Sequence, residues 1–499
     1  MTNDGQEEPT AMVFEVLKAA IIDGSAARLG RMALAGRRSV DTPNYLAVTS
    51  RGVVPHMTPD NVGKHLHSAG VYMALEDFIE RPQQYSKRPT PIYDTPTSQG
   101  RRPLHSFTAM PPEFMTVLGA RRIPAVLSPM GNSNASISIF TSTGYQVLTT
   151  KEYQTAVETL RPDIAIPLAD LTHGPITPTS KRALRMAERT DEWLKNWFAA
   201  EDASADELRQ RDVAIFAPVL PVSYSIQWEY LERLSEDLST RIAGLAVYDP
   251  DVLPDLLSDY ANLAALPRLS VSAPTTPHHI LRQISLGLDA FILPFVNLVS
   301  DAGIAMTFTF PPSPTATPSL LPLGVDLSSP SYKTSLAPPS PGCTCYACTA
   351  HHAAYIHHLL AAREMLGWTL LQTHNHAVVA AFFASVRAAL AQGEVAFEDA
   401  ARQFALRYEP EFPAGTGERP RARGYQFKGE AGGEVKPKLN KPAWGKLDGE
   451  DGGLGLTRVR AKKEVAPAVA VAAAAAVADK VVESAVEGGG RLETPPCPG

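Results

Sequence analysis

The chain has 499 residues, 44% of them hydrophobic and 20% charged, so most of it can bury a core and a soft length prior gives two or three domains or one large barrel with additions. A formal net charge of −6 does not mark a nucleic-acid binder on bulk electrostatics, and four cysteines are too few for a disulfide framework, which favours a reducing compartment. The N-terminus MTNDGQEEPT is acidic and has no apolar core, so it reads as neither a signal peptide nor a presequence. Before the tail no run reaches 18 apolar residues, and the Ala-rich piece Val465–Val477 is short and flanked by Pro and charge, which excludes a good spanning helix.

In chain order, residues 1–11 read as disordered. A helical pattern fits Val13 to Leu29, and Asn44 to Thr49 reads as a strand. Short apolar β-rich runs then recur at Ile123–Leu127, Ser136–Phe140, Asp163–Leu168, Val213–Leu220, Ile242–Val247, Leu269–Ser272, Ala290–Leu293 and Ala305–Phe310. Amphipathic helices over Lys151–Leu160, Lys181–Phe198 and Glu229–Leu238 fall between them. Strands alternating with helices imply parallel pairing. Eight such runs in roughly 300 residues suit an α/β fold of the (β/α)8 TIM-barrel type, with an open doubly wound sheet as the alternative.

Residues 311 to 342 break the pattern with Pro/Ser/Thr-rich loops that lead into Cys343-Thr-Cys345-Tyr-Ala-Cys348. The spacing is Cys-x-Cys-x2-Cys-x25-His, ending at His374. Packing alone has no use for three adjacent thiols. Three soft thiolates and one imidazole describe a closed tetrahedral site, so Cys343, Cys345, Cys348 and His374 are expected to hold one structural Zn2+ that does no chemistry itself. His376, His351 and His352 are rivals for the fourth place. Helices are expected over His351–Leu371, Ala377–Leu390 and Glu398–Tyr408. The domain reading is a disordered segment 1–11, a barrel over 12–408 that includes a metal module at 341–376, and a largely disordered low-complexity tail at 409–499. The first half of the tail is basic, with Arg419, Arg421, Arg423, Lys436, Lys438 and Lys441, and reads first as solvated.

The cysteine module with its gap to His374-Asn375, and Tyr355-Ile-His357-His358-Leu-Leu behind it, resemble the zinc site of the tRNA-guanine transglycosylase family. Further pieces follow in the family's order: Thr143-Gly144-Tyr145-Gln146-Val147, Pro162-Asp163-Ile164, Ala243-Gly244-Leu245-Ala246-Val247 and Gly287-Leu288-Asp289-Ala290-Phe291. Together they cover roughly residues 25 to 400. The resemblance implies a (β/α)8 barrel with a zinc-binding insertion. It also implies exchange of the wobble guanine of certain tRNAs for a deazaguanine base, through an Asp nucleophile and a second, acid/base Asp.

At the matched positions those groups are missing. Thr141 stands where the family has its acid/base Asp, and Ile292 where it has its nucleophile. Leu220 replaces a base-binding Gln, and Ala169 a base-reading Asp, with Asp170 one position off. Asp289 is a candidate substitute nucleophile, but strand alternation points residues 289 and 292 to opposite faces. No catalytic residue is therefore assigned. The branch that this pattern resembles is the eukaryotic accessory, non-catalytic subunit of queuine tRNA-ribosyltransferase. That resemblance implies a heterodimer with a catalytic subunit, contact with tRNA, no integral membrane association, and a cytoplasmic location with peripheral association to mitochondria.

Overall fold

The computed structural model describes residues 12–19, 26–79, 90–96, 101–128, 131–173, 177–202, 213–312 and 319–420. One unit spans Met1–Glu434, and the other, Val435–Gly499, lies outside the described residues, as do residues 1–11 and most of the basic tail. Eight parallel strands close into a barrel in chain order. They are β1 (Asn44–Val48), β2 (Gly70–Ala74), β3 (Met115–Gly119), β4 (Ile164–Ala165), β5 (Ala214–Val219), β6 (Gly244–Val247), β7 (Arg268–Ser270) and β8 (Ala290–Leu293). Ala290 of β8 lies opposite Asn44 of β1 and completes the ring. No described helix is long and apolar enough to cross a membrane.

Alternation along the strands sorts the side chains into two layers. Leu46, Tyr72, Val117, Ile164, Phe216, Leu269 and Ile292 pack inside the barrel. Tyr45, Val71, Leu118, Ala165, Ile215, Leu245 and Phe291 face the surrounding helices. An antiparallel sheet of Val13–Lys18, Leu29–Ala33 and Val40–Thr42 adds Met32 and Val40 to the inner cluster.

The barrel is the expected fold, but its strands are not all the expected ones. Six of the runs named above are barrel strands. Ile123–Leu127 forms no strand, because Pro124 removes a ladder donor and the segment turns across the barrel mouth. Ser136–Phe140 instead builds an antiparallel hairpin, Ser136–Thr141 with Gly144–Thr149. Of Ala305–Phe310 only the start is a strand, Ile304–Met306, paired outside the barrel with Gly324–Asp326. The true second and third strands, β2 and β3, are buried along their whole length. Such continuous apolar runs carry no alternation to mark them. Val13–Lys18 is a strand rather than a helix, because Leu29–Ala33 offers it an antiparallel partner that local periodicity cannot show.

The helices that bear on the site are α1 (Thr150–Leu160), α2 (Ser180–Asp202), α3 (Tyr224–Glu236), α4 (Pro277–Ser285), α5 (Phe295–Asp301), α6 (Ala353–Ala361), α7 (Met365–Gln392) and α8 (Glu394–Arg407). The helical region expected from His351 breaks at residues 362–364, where Arg363 adopts a left-handed φ of 60°. It then runs unbroken through α7 for 28 residues, with no gap before Ala377. Beyond Tyr408 the described chain continues to Pro420, and Phe412 stacks on Phe295 at 5.6 Å.

Candidate metal centre and barrel mouth

Cys343 follows a turn in which Gly342 has a φ of +80°, a conformation that favours glycine. Cys345 caps the short helix Tyr346–Ala350, and Cys348 sits inside it. His374 comes from the middle of α7 and is fully buried. The four ligand atoms lie within 4.8 Å of one another. His374 Nδ1 is 3.7 Å from Cys343 Sγ and 3.4 Å from both Cys345 Sγ and Cys348 Sγ.

This donor set fits a metal ion. One ring nitrogen has a single lone pair or a single proton, so it cannot bond three sulfurs at once. A tetrahedral zinc with its usual S and N bond lengths sets S···N edges of about 3.5 Å, which these distances match. Without a cation the sulfurs cannot all ionise. Hydrogen bonding with Cys345 and Cys348 drives the Cys343 thiol down, while the contact with Cys343 pushes Cys348 up. Cys343, Cys345, Cys348 and His374 can thus hold a metal ion, and three thiolates with one imidazole are consistent with zinc.

The surroundings aim the imidazole. His374 Nε2 is 2.8 Å from the Met306 carbonyl, which makes Nε2 the donor and leaves Nδ1 for the metal. Its neighbour Asn375 clamps the same strand: its Oδ1 accepts from Met306 N at 2.8 Å, and its Nδ2 donates to Ser300 Oγ and the Ile304 carbonyl, both at 2.9 Å. The rival histidines are occupied elsewhere. His376 faces the barrel side, with Nδ1 3.1 Å from Tyr45 Oη and Nε2 3.0 Å from Gln372 Nε2, and burial lowers its pKa to about 3. His352 caps α6 by accepting from Tyr355 N, and His351 stacks on Tyr355.

At the C-terminal ends of the barrel strands a cavity of about 260 Å³ opens, walled by Ile123, Pro124, Ile166, Pro167, Tyr248 and Val271. Gly119 stands at its edge because the Tyr72 hydroxyl occupies the place of a Cβ, 2.2 Å from where one would be. That hydroxyl donates to the Arg121 carbonyl at 2.5 Å. No described residue lining the cavity carries a carboxylate.

The four positions that resemble the transglycosylase site are all accounted for. Thr141 ends the first strand of the hairpin, where its hydroxyl donates to the Gly144 carbonyl and accepts from Gln146 Nε2, both at 2.9 Å. Ala169 lines the cavity. Leu220 is fully buried against Val222, Ala183 and Met186 on the side of α2. Ile292 fills the barrel interior.

The neighbouring carboxylates are engaged. Asp170 is completely buried and receives Arg182 through two bonds of 2.6 and 2.7 Å, Arg189 at 3.1 Å and Asn132 at 2.8 Å. Burial alone would raise its carboxyl, but these donors hold it below the usual range. Asp289 lies at the opposite, N-terminal end of β8. Arg28 grips it with Nε at 2.9 Å and Nη2 at 2.7 Å, and the Arg268 backbone N–H adds a third bond at 2.8 Å. These three bonds hold it as a buried anion at that end of the barrel. Glu76 and Asp77, which the sequence reading did not single out, are locked by Arg122 at 2.9 and 3.3 Å. Their only signal was an acidic pair following the unrecognised strand β2.

Residues 23–410 match the family described as "TGT: Queuine tRNA-ribosyltransferase". The chain belongs to that family. A Schizosaccharomyces pombe protein named queuine tRNA-ribosyltransferase accessory subunit 2 is similar at 35% identity over 406 residues, 81% of this chain and 86% of that protein. Proteins of the same name from Trichoplax adhaerens and Culex quinquefasciatus are each 27% identical, over 75% and 74% of this chain and 95% and 86% of their own lengths. Thr141, Ala169, Leu220 and Ile292 carry no carboxylate or amide.

Proposed function

We propose that this chain is the non-catalytic accessory subunit of a heterodimeric queuine tRNA-ribosyltransferase, a pentosyltransferase that exchanges wobble guanine for queuine in tRNAs with GU(N) anticodons. The observation that carries the reading is the barrel mouth. Nucleophilic displacement at a ribose carbon needs one carboxylate aimed at the sugar and an acid/base group near the base. Here the matching positions are Ile292 and Thr141, the nearby anion Asp170 is held by arginines, and Asp289, at the other end of the barrel, is held by Arg28. Relatives named as accessory subunits support the same role. The catalytic partner supplies both carboxylates, and this subunit stabilises the dimer and helps to dock the tRNA in the cytoplasm.

In this reading the Cys343, Cys345, Cys348 and His374 site holds one Zn2+ that is structural, since four protein ligands leave no open position for water. The metal joins the cysteine turn to α7. The elements around it expose Leu336, Tyr346, Met365 and Leu366, large apolar side chains suited to a partner subunit. The domain division at residues 12–408, with the metal module at 341–376, belongs to the same proposal.

The test is exchange of radiolabelled guanine into tRNA by the purified chain, then by the chain with a catalytic subunit of the family. No exchange by the chain alone and co-purification with the catalytic subunit are expected. Exchange by the chain alone would overturn the reading, and so would failure to co-purify with any catalytic subunit.

A further inference from the structure

Beside the mouth lies a second cavity, of about 490 Å³, whose wall is formed by Arg121 after β3 and by Arg182, Arg185 and Arg189 on α2. The spacing of the three helix residues, three and four apart, places them along one face of α2. Four arginines from two elements that lie far apart in sequence therefore line one cavity.

Their charge is only partly answered. Among the described residues, Asp170 is the carboxylate that hydrogen-bonds Arg182 and Arg189, and its oxygens are used by these two and by Asn132. Arg185 is exposed and has no partner among the described residues. Arg121 Nη2 donates to neutral oxygens, Asn132 Oδ1 at 3.1 Å and the Ser138 carbonyl at 2.5 Å, while its Nε is buried without a partner. Burial lowers the Arg121 guanidinium from its ordinary value, as expected of a desolvated cation that wants a counter-ion. His173 belongs to both cavities, and its buried Nε2 is unpartnered as well.

The two cavities share Arg121, Leu171, Thr172 and His173. One side is basic and rich in planar forked donors, the geometry that suits a phosphate, and the other is walled by prolines, isoleucine and tyrosine. We infer that the arginine pocket binds the phosphate of a phosphate ester, with Arg121 and Arg185 as its principal donors and the organic part of the ligand lying toward the apolar mouth. The class is a nucleoside phosphate, either free or as one link of a single RNA strand. That choice of class rests on the RNA-processing reading above, whereas the phosphate pocket itself does not.

The experiment is calorimetric titration of the full chain with inorganic phosphate, a nucleoside 5′-monophosphate, the same nucleoside without phosphate, and a short single-stranded oligoribonucleotide. Phosphate-bearing probes are expected to bind and the bare nucleoside to bind at least tenfold more weakly, roughly the worth of one charge-assisted hydrogen bond. Arg185→Ala should weaken them by about tenfold without moving the melting temperature, because Arg185 is exposed and holds nothing in place. Arg282→Ala, an exposed arginine on α4 outside the pocket, should leave binding unchanged. Tight binding of the monophosphate identifies a free ligand, and binding of the oligoribonucleotide alone identifies a strand. Either result supports the pocket if it depends on Arg185. Equal affinity for nucleoside and monophosphate, equal losses in the two variants, or no binding of any phosphate-bearing probe would overturn it. None of these readouts needs a catalytic subunit, so failure here is distinct from failure to form the heterodimer.

Discussion

Replacing Asp289 with asparagine distinguishes a carboxylate that holds the barrel from one that does chemistry. The side chains of Arg28 and Asp289 are 7% and 1% exposed, so the pair is cut off from water. Asp289→Asn keeps the shape but removes the charge that faces two buried guanidinium groups, Arg28 and the more distant Arg268 at 3.6 Å. Arg268 is already lowered to about 10 by burial, with Asp289 opposing that fall. Removing one partner of a buried pair costs about 3–5 kcal/mol, most of it the penalty on the charge left behind. With an unfolding entropy of about 2.1 cal/mol/K per residue over a barrel of this size, the melting temperature should drop by roughly 4–6 °C. The assays are thermal unfolding by circular dichroism and guanine exchange by the chain mixed with a catalytic subunit of the family, the latter run well below the lowered midpoint. A lowered midpoint with exchange retained is expected. An unchanged midpoint with exchange abolished would refute the structural role and restore Asp289 as a reacting group.

Three further outcomes are expected. Metal analysis should find about one zinc per chain, and Cys345→Ser should lose it and destabilise the fold, because binding energy at such a site is folding energy. Asn375→Ala should leave the buried Met306 N–H without an acceptor at a cost of about 1–3 kcal/mol. It should also loosen metal binding, measured by chelator competition, by about tenfold or more through the displaced Met306 carbonyl that orients His374. Asp170 has its folded carboxyl held below the ordinary value of 3.8, so its contribution is complete above that pH and is lost as pH falls through the lower folded value. Asp170→Asn should therefore destabilise the chain near neutrality, and the gap to wild type in chemical denaturation should close on acidification. A gap that stays constant down the acid limb would refute that assignment.

Some of this molecule is written locally and was legible as such. The residues that can hold a metal are three cysteines within six positions and one histidine on a following helix, so chemistry and spacing marked the three thiols and left the fourth place among four histidines. His374 was separated from His376 only by the structure, because residues two apart on a helix face different sides. The barrel class was legible from recurring apolar runs between helices. The identity of β2 and β3 was not, since a strand buried on both faces has no alternating pattern. The hairpin at Ser136–Thr149 was read as barrel for the related reason that pairing partners are not encoded in the run itself.

The sequence by itself determined the three clustered thiols, the fold class and the uncharged side chains at positions 141, 169, 220 and 292, because each of these depends on residue type at a fixed place in the chain. Only the tertiary structure decided what the remaining charges do. Asp289 and Arg28 are 261 residues apart, and Arg121 shares a cavity wall with Arg182 and Arg185 only once the chain has folded. Whether a carboxylate is a nucleophile, a structural anion or a counter-ion is set by desolvation and by which cation lies within hydrogen-bond reach, and neither exists until the chain has closed.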